Sequence, residues 1–120
     1  MAEYESVLRT PELGPGEMRE VEAHGETLAV LNVGQTYYAL EACCPVDATN
    51  LARDGWLRGD RLECPSDHAL YDVRTGRRAD GAAGATAPPL RRYAIDVAGN
   101  EIRVGPLLAP AEGDGTGEND

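Results

Sequence analysis

Between residues 4 and 104 the chain runs in short stretches in which apolar and polar positions alternate with a period of two, broken by turn residues. That period belongs to strands with one buried face, and stretches of this length at this spacing predict an all-β fold. Met18, Val21 and Ala23 lead into a turn at His24-Gly25, and Leu28 to Val33 form the strongest strand. Gly34-Gln35 then turns the chain into Thr36-Tyr37-Tyr38-Ala39-Leu40, so two tight turns predict a three-stranded antiparallel meander. A second set follows in Arg61 to Cys64, Ala69 to Val73, and a hairpin of Tyr93 to Val97 with Glu101 to Val104 across Gly99-Asn100.

Helical periodicity is nearly absent. Thr10-Pro11-Glu12-Leu13 predicts one connecting turn, with Thr10 as the cap and Pro11 in the first helical position. Residues 43–60, 66–69 and 80–89 read as loops, the last rich in Ala, Gly and Pro. One domain over residues 1–107 is expected, followed by an acidic tail, 108–120, with too little apolar surface to offset its ordering entropy.

Composition narrows the partners. The 120 residues carry 21 acidic and 11 basic side chains, a net charge of -10, which repels phosphate backbones and anionic membranes. Nucleic acid and membrane partners are therefore not expected. The tail's Glu112, Asp114, Glu118 and Asp120 account for four of those charges. The start, Met1-Ala2-Glu3-Tyr4-Glu5, has no basic or apolar leader, and no run approaches the roughly 20 apolar residues of a membrane helix, so a cytoplasmic location is expected. Three cysteines are too few for a secreted disulfide framework and leave thiols for metal, chemistry or packing.

Those thiols lie in a recognisable order. Cys44-Pro45-Val46 is followed by Gly55-Trp56-Leu57, then Cys64-Pro65-Ser66-Asp67, then Tyr71-Asp72-Val73-Arg74-Thr75-Gly76 and Ala87-Pro88-Pro89-Leu90. In this order the chain resembles the Rieske ferredoxins and Rieske domains over about residues 4–107, whose signature is a Cys-Pro-His loop, a Cys-Pro-x-His loop, an aromatic-Asp-x-x-Thr-Gly strand end and a later proline-rich loop. The resemblance implies an antiparallel β-sandwich or small barrel with its loops at the cluster end. It also implies a [2Fe-2S] cluster with one iron on the two cysteines and the other on the two histidines.

Both histidines are absent here. Val46 stands at the first position and Asp67 at the second, with His68 where the family usually has glycine. The leading expectation is accordingly a vacated site at Cys44, Val46, Cys64 and Asp67, with no metal and no cofactor. The fold is then reused to bind and act on a small organic molecule, as in a cofactor-independent cyclase or isomerase of natural-product tailoring. Asp67 and His68 are its candidate acid and base. Tyr38, Trp56, Tyr71 and Arg91 are its candidate substrate contacts, the arginine through bidentate hydrogen bonds to an anionic group. The alternative is an electron-transfer [2Fe-2S] ferredoxin serving an oxygenase, in which the carboxylate of Asp67, the imidazole of His68 or the thiolate of Cys43 replaces a lost ligand. A non-redox auxiliary subunit, partnered by a larger enzyme, or a homodimer completes the set.

Overall fold

The computed structural model describes residues 3–43, 49–65, 70–77 and 90–108. The elements follow the order β1 (Glu5–Arg9), a 3-10 turn (Thr10–Glu12), β2 (Met18–Ala23), β3 (Glu26–Val33), β4 (Thr36–Glu41), α1 (Leu51–Asp54), β5 (Trp56–Arg58), β6 (Arg61–Glu63), β7 (Leu70–Asp72), β8 (Arg92–Ala98) and β9 (Glu101–Leu107). They build a six-stranded antiparallel sheet in the order β1-β9-β8-β4-β3-β2 and a three-stranded one in the order β5-β6-β7.

The meander is as the turns predict. His24 and Gly25 have φ of 55° and 77°, Gly34 and Gln35 of 58° and 77°, the paired positive angles of two-residue hairpins whose twist matches their strands. The large sheet curls until its edges meet: the His24 backbone N–H donates to Glu5 Oε1 at 3.2 Å, and its ring Nε2 lies 3.1 Å from the Val104 carbonyl oxygen. His24 is thus an exposed turn residue that also fastens the sheet's closing seam.

Two apolar clusters flank β3 and β4. Leu28, Val30 and Ala39 pack with Leu13, Tyr93, Ile102 and Val104, while Ala29, Leu31 and Leu40 pack with Leu51, Leu62, Cys64, Tyr71, Val73 and Leu90. A strand covered on both faces needs apolar residues at consecutive positions, which is why Leu28-Ala29-Val30-Leu31 does not alternate. The adjacent Tyr37 and Tyr38 follow the same logic, each half-buried against a different cluster.

Two expectations change. Arg9, not Thr10, occupies the cap of the 3-10 turn, its backbone N–H donating to Glu12 Oε1 at 2.7 Å. The stretch 43–60 contains α1 and β5 as well as loop. The acidic tail lies outside the described residues except for Leu108, whose N–H reaches the Arg92 carbonyl at 2.8 Å. Among the described residues, no helix is long and apolar enough to cross a membrane.

Candidate metal centre

The described residues that bound three connections share one apolar cluster. The first, residues 44–48, is pinned beyond its ends by the bridge between Cys43 and Asn50 and by the Leu51 N–H, which donates to the Ala42 carbonyl at 2.6 Å. Asn50 caps α1 by accepting from the Arg53 N–H at 2.9 Å and ties it to β2 through Glu20 Oε2 at 3.0 Å. The second, residues 66–69, joins β6 to β7 just after Cys64, which is fully buried. The third, residues 78–89, ends at Leu90, whose N–H donates to the Gly76 carbonyl at 2.7 Å. Leu51, Cys64 and Leu90 all belong to the cluster around Tyr71, so burying that cluster draws the three loop bases together.

Two glycines make this approach possible. A Cβ at Gly55 would stand 2.7 Å from the carbonyl oxygens of both Leu51 and Glu63, so only glycine lets the end of α1 pass beside the residue before Cys64. Gly76 has φ of 79°, and a Cβ there would stand 2.2 Å from the Leu90 carbonyl oxygen. In the sequence Gly55 figures only within the family motif and Asn50 not at all, because their roles are long-range and carry no local periodicity.

Around this end, charge is held in pairs. Burial pushes the Asp72 carboxyl up, but hydrogen bonds from Arg74 and the charges of Arg74 and Arg61 outweigh it and hold its pKa below the ordinary value. Arg74 grips Asp72 through Nε at 3.1 Å and Nη2 at 2.9 Å. Burial, the largest influence on Tyr93, pushes its phenol pKa up.

The predicted site residues separate. Cys44, Val46, Asp67 and His68 lie outside the described residues. Cys64 is buried at the second loop and Cys43 is exposed beside the first. The four candidate substrate contacts do not converge. Tyr71 is fully buried in the core; Trp56 stands exposed on β5. Tyr38 lines a hollow of about 210 Å³ with Tyr37, Tyr93 and Arg92. Arg91 lines another of about 310 Å³ with Cys43 and Asn50. Its guanidinium lies 3.6 Å from Glu41 and 3.8 Å from Glu26.

The Rieske [2Fe-2S] domain model matches residues 3–94. The chain belongs to the Rieske [2Fe-2S] domain family. It is 32% identical over 93 residues to the ferredoxin component of biphenyl 2,3-dioxygenase of Rhodococcus jostii, a match covering 78% of this chain and 83% of that one. Among solved structures it is similar to the ferredoxin of carbazole 1,9a-dioxygenase from Nocardioides aromaticivorans, with a TM-score of 0.78 and 27% identity, covering 88% of this chain and 99% of that one. It is likewise similar to a chain in the complex of reduced oxygenase and oxidised ferredoxin of carbazole 1,9a-dioxygenase, with a TM-score of 0.77 and 31% identity over 86% of this chain and 93% of that one.

These likenesses overturn the leading sequence expectation. A small-molecule cyclase or isomerase, a place in biosynthesis and an absent cofactor all rested on the missing Rieske histidines, whereas the relatives are ferredoxin components of dioxygenase systems. That expectation took the missing histidines as a loss of the family's function. Among the described residues no three His, Cys, Asp or Glu side chains gather closely enough to hold a metal ion, and the two loops carrying the family's ligand positions lie beyond them. As a donor set, those loops and their bases still hold three cysteines, one histidine and Asp67, all of chemical types that bind iron. By chemical type this set offers donors that suit a cluster.

Proposed function

We propose that this Rieske-family chain is the electron-transfer component of an oxygenase system. Its likeness to dioxygenase ferredoxins over most of both chains carries the reading. Supporting it, the fold gathers the three loop bases around buried Cys64, where a cluster-bearing Rieske fold needs them.

In this reading Cys44 and Cys64 hold one iron, while Asp67, with His68 or Cys43, supplies the donors at the other. The bound cluster supplies reversible one-electron chemistry. The remaining work belongs to the protein. Leu51, Leu62, Tyr71 and Leu90 wall the Cys64 side against water. Gly55 and Gly76 set the close approaches of the loop bases, and Asn50 fixes the start of α1 behind the first loop.

Purification without oxygen, followed by dithionite reduction and electron paramagnetic resonance, tests this. A one-electron signal lost in Cys64→Ser and altered in Asp67→Ala is expected. A protein that stays diamagnetic and iron-free overturns the reading.

A further inference from the structure

The outer face of the small sheet carries charge and apolar surface in an arrangement that a merely solvated face would not need. Ladder pairing sets Trp56 opposite Glu63, Arg58 opposite Arg61, and Arg61 opposite Asp72, so these five share one face. Leu57, Leu62 and Tyr71 share the other and pack into or against the core. Trp56, the single tryptophan of the chain, is 46% exposed. The Arg58 guanidinium lies over its ring, 5.8 Å from the centroid, while its Nε donates to Glu63.

By formal count this face is balanced, but Glu63 and Asp72 lie low beside more exposed arginines. The Glu63 side chain is 10% exposed against 61% for Arg58, and Asp72 is 16% exposed against 55% for Arg74, whereas Asp60 at the adjoining turn is 39% exposed beside Arg61 at 42%. At the Trp56 end an approaching molecule therefore meets an indole and the Arg58 guanidinium, on a chain of net charge -10. The position is also informative: Glu63 immediately precedes Cys64, and β7 follows the second loop directly.

We infer that this face, anchored by Trp56 and Arg58, docks the oxygenase chain, through an apolar recess on the oxygenase rimmed by carboxylates. The inference rests on the ferredoxin reading. Exposed guanidinium groups select carboxylates, and a large aromatic surface gains most by entering a desolvated pocket. Stacking on Arg58, itself tied to Glu63, pre-orders both anchors and lowers the side-chain entropy lost on docking. A partner seated here lies on the strands, β6 and β7, that bound the second loop. Of the other exposed apolar residues, Leu107 ends β9, Leu108 follows it and Val97 lies on β8.

The test uses the full chain and the oxygenase component of the Rhodococcus jostii biphenyl 2,3-dioxygenase system as probe, with affinity measured by calorimetry at about 50 and about 300 mM salt. Trp56→Ala should weaken binding roughly 30-fold. The double variant Arg58→Gln, Arg61→Gln, which keeps a donor for Glu63, should flatten the salt dependence. Val97→Ala should change nothing, and circular dichroism checks that each variant folds. Unchanged affinity in folded Trp56→Ala, or no binding by the parent at low salt, overturns the docking face. Iron and sulfide assayed on the same samples keep the two ideas apart. Cluster-free protein that docks through Trp56 sinks the ferredoxin reading alone; cluster-loaded protein indifferent to Trp56 sinks the docking face alone.

Discussion

Gly55 lies so close to Glu63 that a methyl group on its α-carbon would stand 2.7 Å from the Glu63 carbonyl oxygen. The Leu51 carbonyl presses from the other side at the same distance, so neither backbone can yield without moving α1 or β6. Gly55→Ala should therefore cost about 2 kcal/mol in urea unfolding, a typical penalty of overpacking. It should also loosen the hold on both cysteine loops. An unchanged unfolding midpoint would show that α1 can shift freely.

Gly76 should be less tolerant still. Its positive φ penalises any side chain, and its contact with the Leu90 carbonyl is closer than at Gly55. Gly76→Ala should lose about 3 kcal/mol, combining backbone strain and collision. A variant as stable as the parent in denaturant melts would mean that the base of the third connection is not fixed there.

Asp72 and Arg74 give the fold a predictable acid response. Because the folded-state pKa of Asp72 lies below its ordinary value, ionised Asp72 stabilises the fold at neutral pH. That contribution is lost as pH falls from the usual carboxylate range, about 4, through the lowered value. Asp72→Asn should be less stable than the parent at pH 7, with the gap closing in acid. Urea titrations across pH check this, and a gap that widens in acid contradicts the pairing.

Tyr71 was legible in the sequence as an aromatic before the Asp-x-x-Thr-Gly strand end, yet only the structure shows it wholly enclosed. Tyr71→Ala should cost about 3 to 5 kcal/mol by emptying the cluster that holds the loop bases. Retention of a parent-like thermal melt would remove Tyr71 from that role.

The contrast between these residues explains what could be read beforehand. The hairpin turns at His24-Gly25 and Gly34-Gln35 were visible because turn chemistry is local. Strand β2 was visible through its alternation, and β3 and β4 as runs of apolar and aromatic residues bounded by those turns. The four residues of α1 and the three of β5 are too short to carry a period, and both exist through contacts with β6 and the core. The two-faced burial of β3 hid behind a continuous apolar run. The site divides in the same way: cysteine spacing pointed to the family, while Val46 and Asp67 drew the functional reading away from it.

Altered donors leave an electrochemical mark. Neutral histidines at one iron raise Rieske potentials to roughly -150 to +300 mV, against about -400 mV for all-cysteine plant-type clusters. An anionic carboxylate from Asp67 at the second iron would favour the oxidised state, so on the proposed reading the midpoint should fall below the Rieske range. Spectroelectrochemistry reads this directly, and a midpoint inside that range would exclude Asp67 as a donor.

The most direct test of an electron-carrying role is the visible absorption spectrum of anaerobically purified full-length protein, taken with iron and acid-labile sulfide analysis. A brown protein with two irons and two sulfides per chain, bleached reversibly by one electron, is the predicted result. A folded, colourless protein free of iron and sulfide, and still so after reconstitution, would contradict it.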